Sequence, residues 1–305
     1  MTRFALWLCT LLLALVSNCS MAAQSSVRVI VYAKPFQQGD SHQMYQVKLL
    51  SAALDKVGVA HLLVPSETPM LQERALRTIA ANDGVDVFWS LTTLEREKQL
   101  RPVRFPIDKG LYGWRLLLVK AGHPAMKIQR LADLQTWILT QGHDWPDTPI
   151  LMRNNLQVVT SNNFDSMVEL VNIGRVSAFP RSALEIWTEI DQHRLSLSVE
   201  PEVVVHYPIA LYYFFSKEQE QLALQVEQGL ELMRQSGEFE AMFQAEYGEA
   251  LRKSKLSQRR VIELKNPFLP KSTPLDRPEL WLQPSAALEP QTIDSLDEVD
   301  ASASK

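Results

Sequence analysis

The chain carries few residues in patterns that could break or form a covalent bond. Its six histidines, at positions 42, 61, 123, 143, 193 and 206, include no HExxH pair or other close metal-ligand spacing. No GxSxG elbow is present. Acidic pairs such as Asp83/Asp86 and Glu185/Glu189 sit at turn or helix spacing and read as solvated. Both cysteines, Cys9 and Cys19, fall in the first 23 residues. No window reads GxGxxG or GxxxxGK[ST], so the backbone cradles for dinucleotides and triphosphates are missing. Catalysis and cofactors are therefore not expected. One strand-to-helix turn stands out. In Gln141-Gly142-His143-Asp144-Trp145-Pro146-Asp147, a strand turns into a helix with Asp144 as the expected N-cap and Pro146 in the first turn. Such a turn offers free backbone N–H groups to an anion, although capping alone explains it as well.

Length and composition bound the rest. The 305 residues suit about two domains, and 46% hydrophobic with 22% charged residues is a globular balance. With 31 Lys+Arg against 35 Asp+Glu, the net charge of −4 has the wrong sign for gripping phosphate backbones, so nucleic acid is not an expected partner. Residues 1–23 have a basic start (Arg3), a 13-residue apolar run from Phe4 to Val16, and small residues ending Ser20-Met21-Ala22-Ala23. This is the pattern of a cleaved secretory signal. The run falls short of the roughly 20 residues a spanning helix needs. Cleavage after Ala22 or Ala23 would leave no cysteine and no disulfide; Val16-Ser17-Asn18-Cys19 has the outline of a lipid-acceptor site, with Asn a poor fit before the Cys. A periplasmic location is expected.

Short apolar strands then alternate with amphipathic helices. Val27–Tyr32, His61–Val64 and Val85–Trp89 read as strands, with helices over 41–57 and 70–81 between them, a βαβαβ order that favours a parallel sheet. Two longer apolar runs, Tyr112–Val119 and Val203–Phe215, bracket a second alternation. It comprises strand 136–140, helix 165–173, strand 175–179 and helix 182–190. One α/β unit is inserted into another. Two further helices follow, about Leu222–Met233 and Phe239–Tyr247, and from Lys253 the chain turns basic, then proline-rich, then acidic, predicting an extended or disordered tail. Tyr32, Phe36, Trp89 and Trp114 lie at or beside strand ends of the first unit, where they could wall a pocket or belong to the core.

Several segments together resemble the periplasmic solute-binding proteins of the polar amino-acid type (family 3). They are Trp89-Ser90-Leu91-Thr92-Thr93-Leu94-Glu95-Arg96, Val103-Arg104-Phe105-Pro106, Gly110–Lys120, Leu131-Ala132-Asp133-Leu134, Gly174-Arg175-Val176-Ser177-Ala178, Tyr207–Lys217 and Gly237-Glu238-Phe239 through Tyr247-Gly248. The resemblance covers residues 27–250. It implies a type II periplasmic-binding-protein fold, two α/β lobes joined by two hinge strands with a ligand cleft between them. Lobe 1 would be 24–119 plus 206–252 and lobe 2 would be 120–205, with 253–305 as tail. It further implies a monomer that hands a small solute to an ABC permease or a membrane sensor. Arg96 matches the family arginine that forks onto a ligand carboxylate, with Trp89, Ser90, Thr92 and Tyr32 around it. A structural salt bridge is its bland alternative. Where the family carries an Asp for the ligand amine, this chain has Phe179-Pro180-Arg181-Ser182. An anionic solute lacking an amine then fits, while pairing of Arg181 with Glu185 at i+4 explains the residue equally well. His143 and Asp144 stand where the family places its carboxylate loop. The other reading open to the sequence is an interaction or scaffold protein with a degenerate cleft, reaching its partner through the tail.

Overall fold

The computed structural model describes residues 27–34, 41–123, 127–143 and 145–284, with the backbone alone for 41–44. The expected signal segment, Phe36, Asp144 and the acidic end of the tail lie outside the described residues. No described helix is long and apolar enough to cross a membrane.

Two sheets organise the chain. In the first, β1 (Arg28–Tyr32) pairs in parallel with both β2 (His61–Pro65) and β3 (Val87–Leu91). Helix α1 (Ser41–Lys56) joins β1 to β2, and α2 (Gln72–Ala80) joins β2 to β3. The short α3 (Leu94–Gln99) follows β3; Thr93 caps it by accepting the Arg96 backbone N–H at 3.2 Å. The two-residue β4 (Arg101–Pro102) completes this part, and the full order is β2-β1-β3-β11-β4, with β11 (Leu211–Phe215) antiparallel to β3 and β4. All five residues of β11 are buried, as a strand covered on both faces requires.

The second sheet is built on β5 (Trp114–Lys120), which pairs antiparallel with β8 (Phe179–Ser182), β9 (Leu197–Val199) and β10 (Val203–His206). The sequence reading put residues up to 119 in the first lobe, but the hydrogen bonds of β5 all lie in this sheet. Between β5 and β8 come α4 (Leu131–Leu134), β6 (Ile138–Gly142), α5 (Asp147–Arg153), β7 (Gln157–Ser161) and α6 (Phe164–Asn172). Strands β6 and β7 pair in parallel as a small sheet of their own, and a Leu139–Ala178 bridge joins β6 to the residue just before β8. Helix α7 (Ile186–His193) follows β8, so the strand and helix expected over 175–179 and 182–190 each begin about four residues later in the chain. Helices α8 (Glu220–Gln235) and α9 (Glu238–Ser254) close the first unit. Gly229 lets α8 lie directly on α1, since a Cβ there would sit 1.9 Å from the Ala53 carbonyl oxygen.

The chain passes twice between the sheets, and the passages touch. One runs through the 3₁₀ turn Leu111–Gly113 into β5; the other is Tyr207–Ala210, which divides the single apolar run read over Val203–Phe215 into β10 and β11. A Cβ on Gly113 would lie 2.1 Å from the Tyr207 carbonyl oxygen, so the crossing needs glycine there. Buried Asp108 holds the first turn by accepting the Gly110 and Tyr112 backbone N–H groups at 3.1 and 3.0 Å.

The tail reading is corrected for residues 253–284. Arg260–Glu263 form β12, a parallel edge strand on β10, and Leu264 donates its N–H to the His206 carbonyl at 2.7 Å. The segment then returns to the first unit. Ser272 Oγ donates to Glu97 at 3.1 Å, Arg277 bridges Glu231 at 2.9 Å, and Leu282 N–H donates to the Lys109 carbonyl at 2.8 Å. Leu280 and Leu282 are buried in the main core, and the Trp281 ring covers Gly110. Composition misled because the apolar residues that are covered here, among them Ile262, Leu264, Phe268, Leu280 and Leu282, pack into clusters built mainly by distant parts of the chain.

Two outcomes follow. Leu280→Ala should cost about 2–5 kcal/mol in urea unfolding, as for a core leucine, whereas a loose tail would show almost no change. Burial also pushes the Asp108 carboxyl up from 3.8 to about 6, against the opposing backbone donors of Tyr112 and Gly110. The unfolded chain then ionises first, so the stability this group contributes is full below about pH 4 and lost as pH rises to about 6. The loss is on the order of 3 kcal/mol. Across that window the stability of Asp108→Asn should gain on the parent chain by that amount, measured by urea unfolding at several pH values; parallel curves would disprove the shift.

Candidate functional site

The predicted site residues separate into one group on each sheet. On the first sheet, Tyr32 ends β1 and Trp89 and Ser90 lie near the end of β3, with the Tyr32 and Trp89 rings 6.2 Å apart. Trp89 also packs edge-on against Tyr213 at 6.5 Å and is buried, so it serves the core as well. Arg96, in the first turn of α3, reaches back over the strand end. Its Nη1 donates to Ser90 Oγ at 2.8 Å and to the Leu91 carbonyl at 2.6 Å, and its Nη2 lies 3.1 Å from Glu73. The acid partner is Glu73 from α2, not the adjacent Glu95. Glu73 is 71% exposed, which makes this a weak, solvent-screened pair. Thr92 is buried and donates to Glu97 at 2.8 Å. A depression of about 200 Å³ lies between α2 and α3, lined by Glu73, Arg77, Thr93 and Arg96 among others.

Beside the second sheet, the parallel strands β6 and β7 end at Gly142 and Ser161, with His143 in the turn after β6 and exposed. Helix α5 begins at Asp147 with Pro146 as its N-cap, so Pro146 lies before the first turn rather than within it, and no side chain caps the helix. Trp145 folds back over Gly142, where a Cβ would fall within 2.5 Å of the indole.

Around this edge the structure assembles a buried ionic network that sequence spacing did not reveal. Arg115 and Arg181 sit on adjacent strands, with Arg181 opposite Leu116 and Ser182 opposite Arg115. Arg115 Nε donates to the Tyr207 hydroxyl at 2.9 Å, its Nη2 bridges Asp147, and Tyr207 donates to the same carboxylate. Arg181 lies forked on Glu189, through Nε at 2.8 Å and through Nη2, and its Nη2 is also 3.0 Å from Glu185. Glu185 reaches toward Arg115 at 3.9 Å and links the two clusters. Glu185 and Glu189, read as solvated from their spacing, are 25% and 17% exposed and are working ion-pair partners. Asp86, read likewise, accepts the Val31 N–H at 2.7 Å. The Arg181 guanidinium is further stacked against Trp145 at 4.6 Å, Phe179 at 5.1 Å and Phe164 at 5.9 Å.

Burial acts against each of these charges. It opposes the positive charge on Arg115 and Arg181, but Asp147 beside the first and Glu185 and Glu189 beside the second outweigh it and raise both pKa values. Burial raises the Glu185 carboxyl, with Arg181 pulling the other way. Three carboxylates face two guanidiniums, so with all groups ionised the network carries one net negative charge. Ser182 is fully buried and donates to the Leu111 carbonyl at 3.4 Å, tying β8 to the first crossing. Among the described residues, no hydrogen bond, ion pair or ring contact joins the Arg96 group to the Arg181 group, and no cluster of His, Cys, Asp and Glu could hold a metal ion.

Two sheets with parallel strand ends, joined by touching crossings, recur in solved proteins. A probable amino-acid ABC transporter extracellular-binding protein from Bacillus subtilis superposes with a TM-score of 0.56 at 15% identity, over 73% of this chain and 99% of that one. The chain has the fold of the type II periplasmic solute-binding proteins. A Salmonella typhimurium periplasmic binding protein of high arginine specificity matches with a TM-score of 0.52 at 13% identity, over 72% of this chain and all of the other. An ancestral arginine-binding protein bound to arginine gives 0.50 at 18%, over 74% and 99%. No family model matches the chain, and no curated protein matches it by sequence. Tyr32, Ser90, Arg181, Ser182 and His143 all lie at, near or just past the carboxyl end of a strand.

The ionic network gives a direct test. Asp147→Ala leaves the Arg115 guanidinium, 2% exposed, without its near carboxylate, and should cost about 3–5 kcal/mol in urea unfolding. A cost under about 1 kcal/mol would mean that the network is not formed.

Proposed function

We propose that the protein is a secreted, non-catalytic binding protein that captures a small polar solute with an anionic group and presents it to an ABC permease or a membrane sensor. The observation that carries this reading is the fold, which spans nearly the whole of several binding proteins. Arg96 supplies the cation for the solute's carboxylate. Among the described residues its acid partner is the exposed Glu73, which an incoming carboxylate can replace at little cost. Ser90 fixes the guanidinium from behind, and Tyr32 and Trp89 provide an aromatic wall. Arg181, expected as a second cation for the solute, is held by Glu185 and Glu189 instead, so the anionic character rests on Arg96 alone. The signal-like segment before residue 24 supports delivery to the periplasm. One observation favours the scaffold reading: the second sheet's charged edge is already satisfied by the chain's own side chains.

Thermal unfolding of the residue 24–305 protein against amino acids, dicarboxylates, sugar phosphates and short peptides separates these readings. A solute at a hundredfold excess over its Kd adds about 2.7 kcal/mol. At about 2–4 °C per kcal/mol for this size, the midpoint should rise by roughly 5–10 °C, and Arg96→Ala should abolish the shift. If no compound moves the midpoint, the scaffold reading takes precedence.

A further inference from the structure

The surroundings of Arg181 are those of a receptor for a guanidinium ion. Glu189 takes Nε and Nη2 as a two-pronged carboxylate, Glu185 takes Nη2 from a second side, and three aromatic rings lie within 5.9 Å of the guanidinium carbon. Fork, second acid and aromatic faces are the elements by which proteins recognise cationic ligands. Here the occupant is covalently attached, coming from β8, while its partners come from the turn before α5 (Trp145), from α6 (Phe164), from β8 itself (Phe179), and from the start and middle of α7 (Glu185, Glu189). The Arg181 side chain is 6% exposed, so the receptor is full.

We propose that this edge of the second sheet is a guanidinium-binding site that the chain occupies with its own Arg181, so that Arg181 excludes a cationic group from the solute. The first half stands on the geometry; the second rests on the solute-binding reading above. An amine or guanidine offered by a solute meets a site whose acids and rings are taken. A solute bound through Arg96 therefore brings an anion and no cation.

The test replaces the tethered ion by a free one. Arg181→Ala should lower the melting midpoint by several degrees, because two carboxylates lose their partner, and millimolar methylguanidinium should restore at least half of that loss. Sodium chloride at the same ionic strength should not. The double variant Arg181→Met/Glu189→Gln removes the charge and its fork together, and its midpoint should not respond to methylguanidinium. Recovery by sodium chloride equal to that by methylguanidinium, or an equal response in the double variant, would overturn the site. Should Arg181→Ala fail to fold, refolding yield with and without methylguanidinium supplies the same comparison. L-arginine is the probe for exclusion: binding by Arg181→Ala and not by the parent chain supports it, and equal binding by both overturns it. Rescue by methylguanidinium with no solute bound by any variant would leave the site standing and reject the solute-binding reading instead.

Discussion

Two buried arginines on neighbouring strands impose the main constraint on this half of the molecule. A guanidinium removed from water is tolerable only with a carboxylate at hydrogen-bond distance. Strand β5 runs Trp-Arg-Leu-Leu-Leu-Val, buried at every one of those positions, so Arg115 cannot reach solvent. The chain meets the need by starting α5 with Asp147 and α7 beside Glu185, which brings the ends of two helices to the same edge of the sheet. The starts of both helices thus supply the acids that the buried arginines require. Tyr207 then adds a donor to Asp147 from the second crossing, so the network also fixes the chain where it leaves this sheet for the other.

The crossings are the second organising element, and the C-terminal segment depends on them. The Asp108 turn opens the first passage, Tyr207–Ala210 form the second, and the two are in backbone contact at Gly113. Residues 264–266 run beside the second passage, with Asn266 donating to the Pro208 carbonyl at 2.9 Å. Trp281 and Leu282 then finish against Gly110 and Lys109, at the mouth of the first. The segment that composition marked as a tail is thus a third tie between the units.

Much of this order was legible because apolar runs bury themselves wherever they fall. The βαβαβ opening, the inserted alternation and the two closing helices all follow from periodicity. Strand β7 was missed because Gln157-Val158-Val159-Thr160-Ser161 is polar and largely uncovered, so it carries no buried pattern. The ionic network was missed for a different reason. Its partners stand 32 and 92 residues apart in the Arg115 bonds to Asp147 and Tyr207, and no local spacing encodes a pair at that distance. The one available signal was Arg115 itself, a charge in the middle of an apolar strand, which must find an acid somewhere. Arg181 was legible only in part. Its pairing with Glu185 at i+4 was visible, whereas the stronger fork on Glu189, eight residues away, arises because the strand turns into a helix between them.

The ties between the sheets limit how the two units can move. A type II fold exchanges solute by changing the angle between its lobes about the crossings. In this chain the C-terminal segment is anchored to the second sheet by four residue pairs of β12 and to the first by Ser272, Arg277, Leu280 and Leu282. The stretch between these anchors is itself held, since the Lys265 backbone exchanges bonds with the Asn154 side chain at 2.8 and 2.9 Å and Asn266 donates to the Pro208 carbonyl, and it contains Pro267 and Pro270, whose fixed φ leaves few torsions free. The segment is thus a strap held at both ends, and separating the two sheets would require breaking one of its anchors.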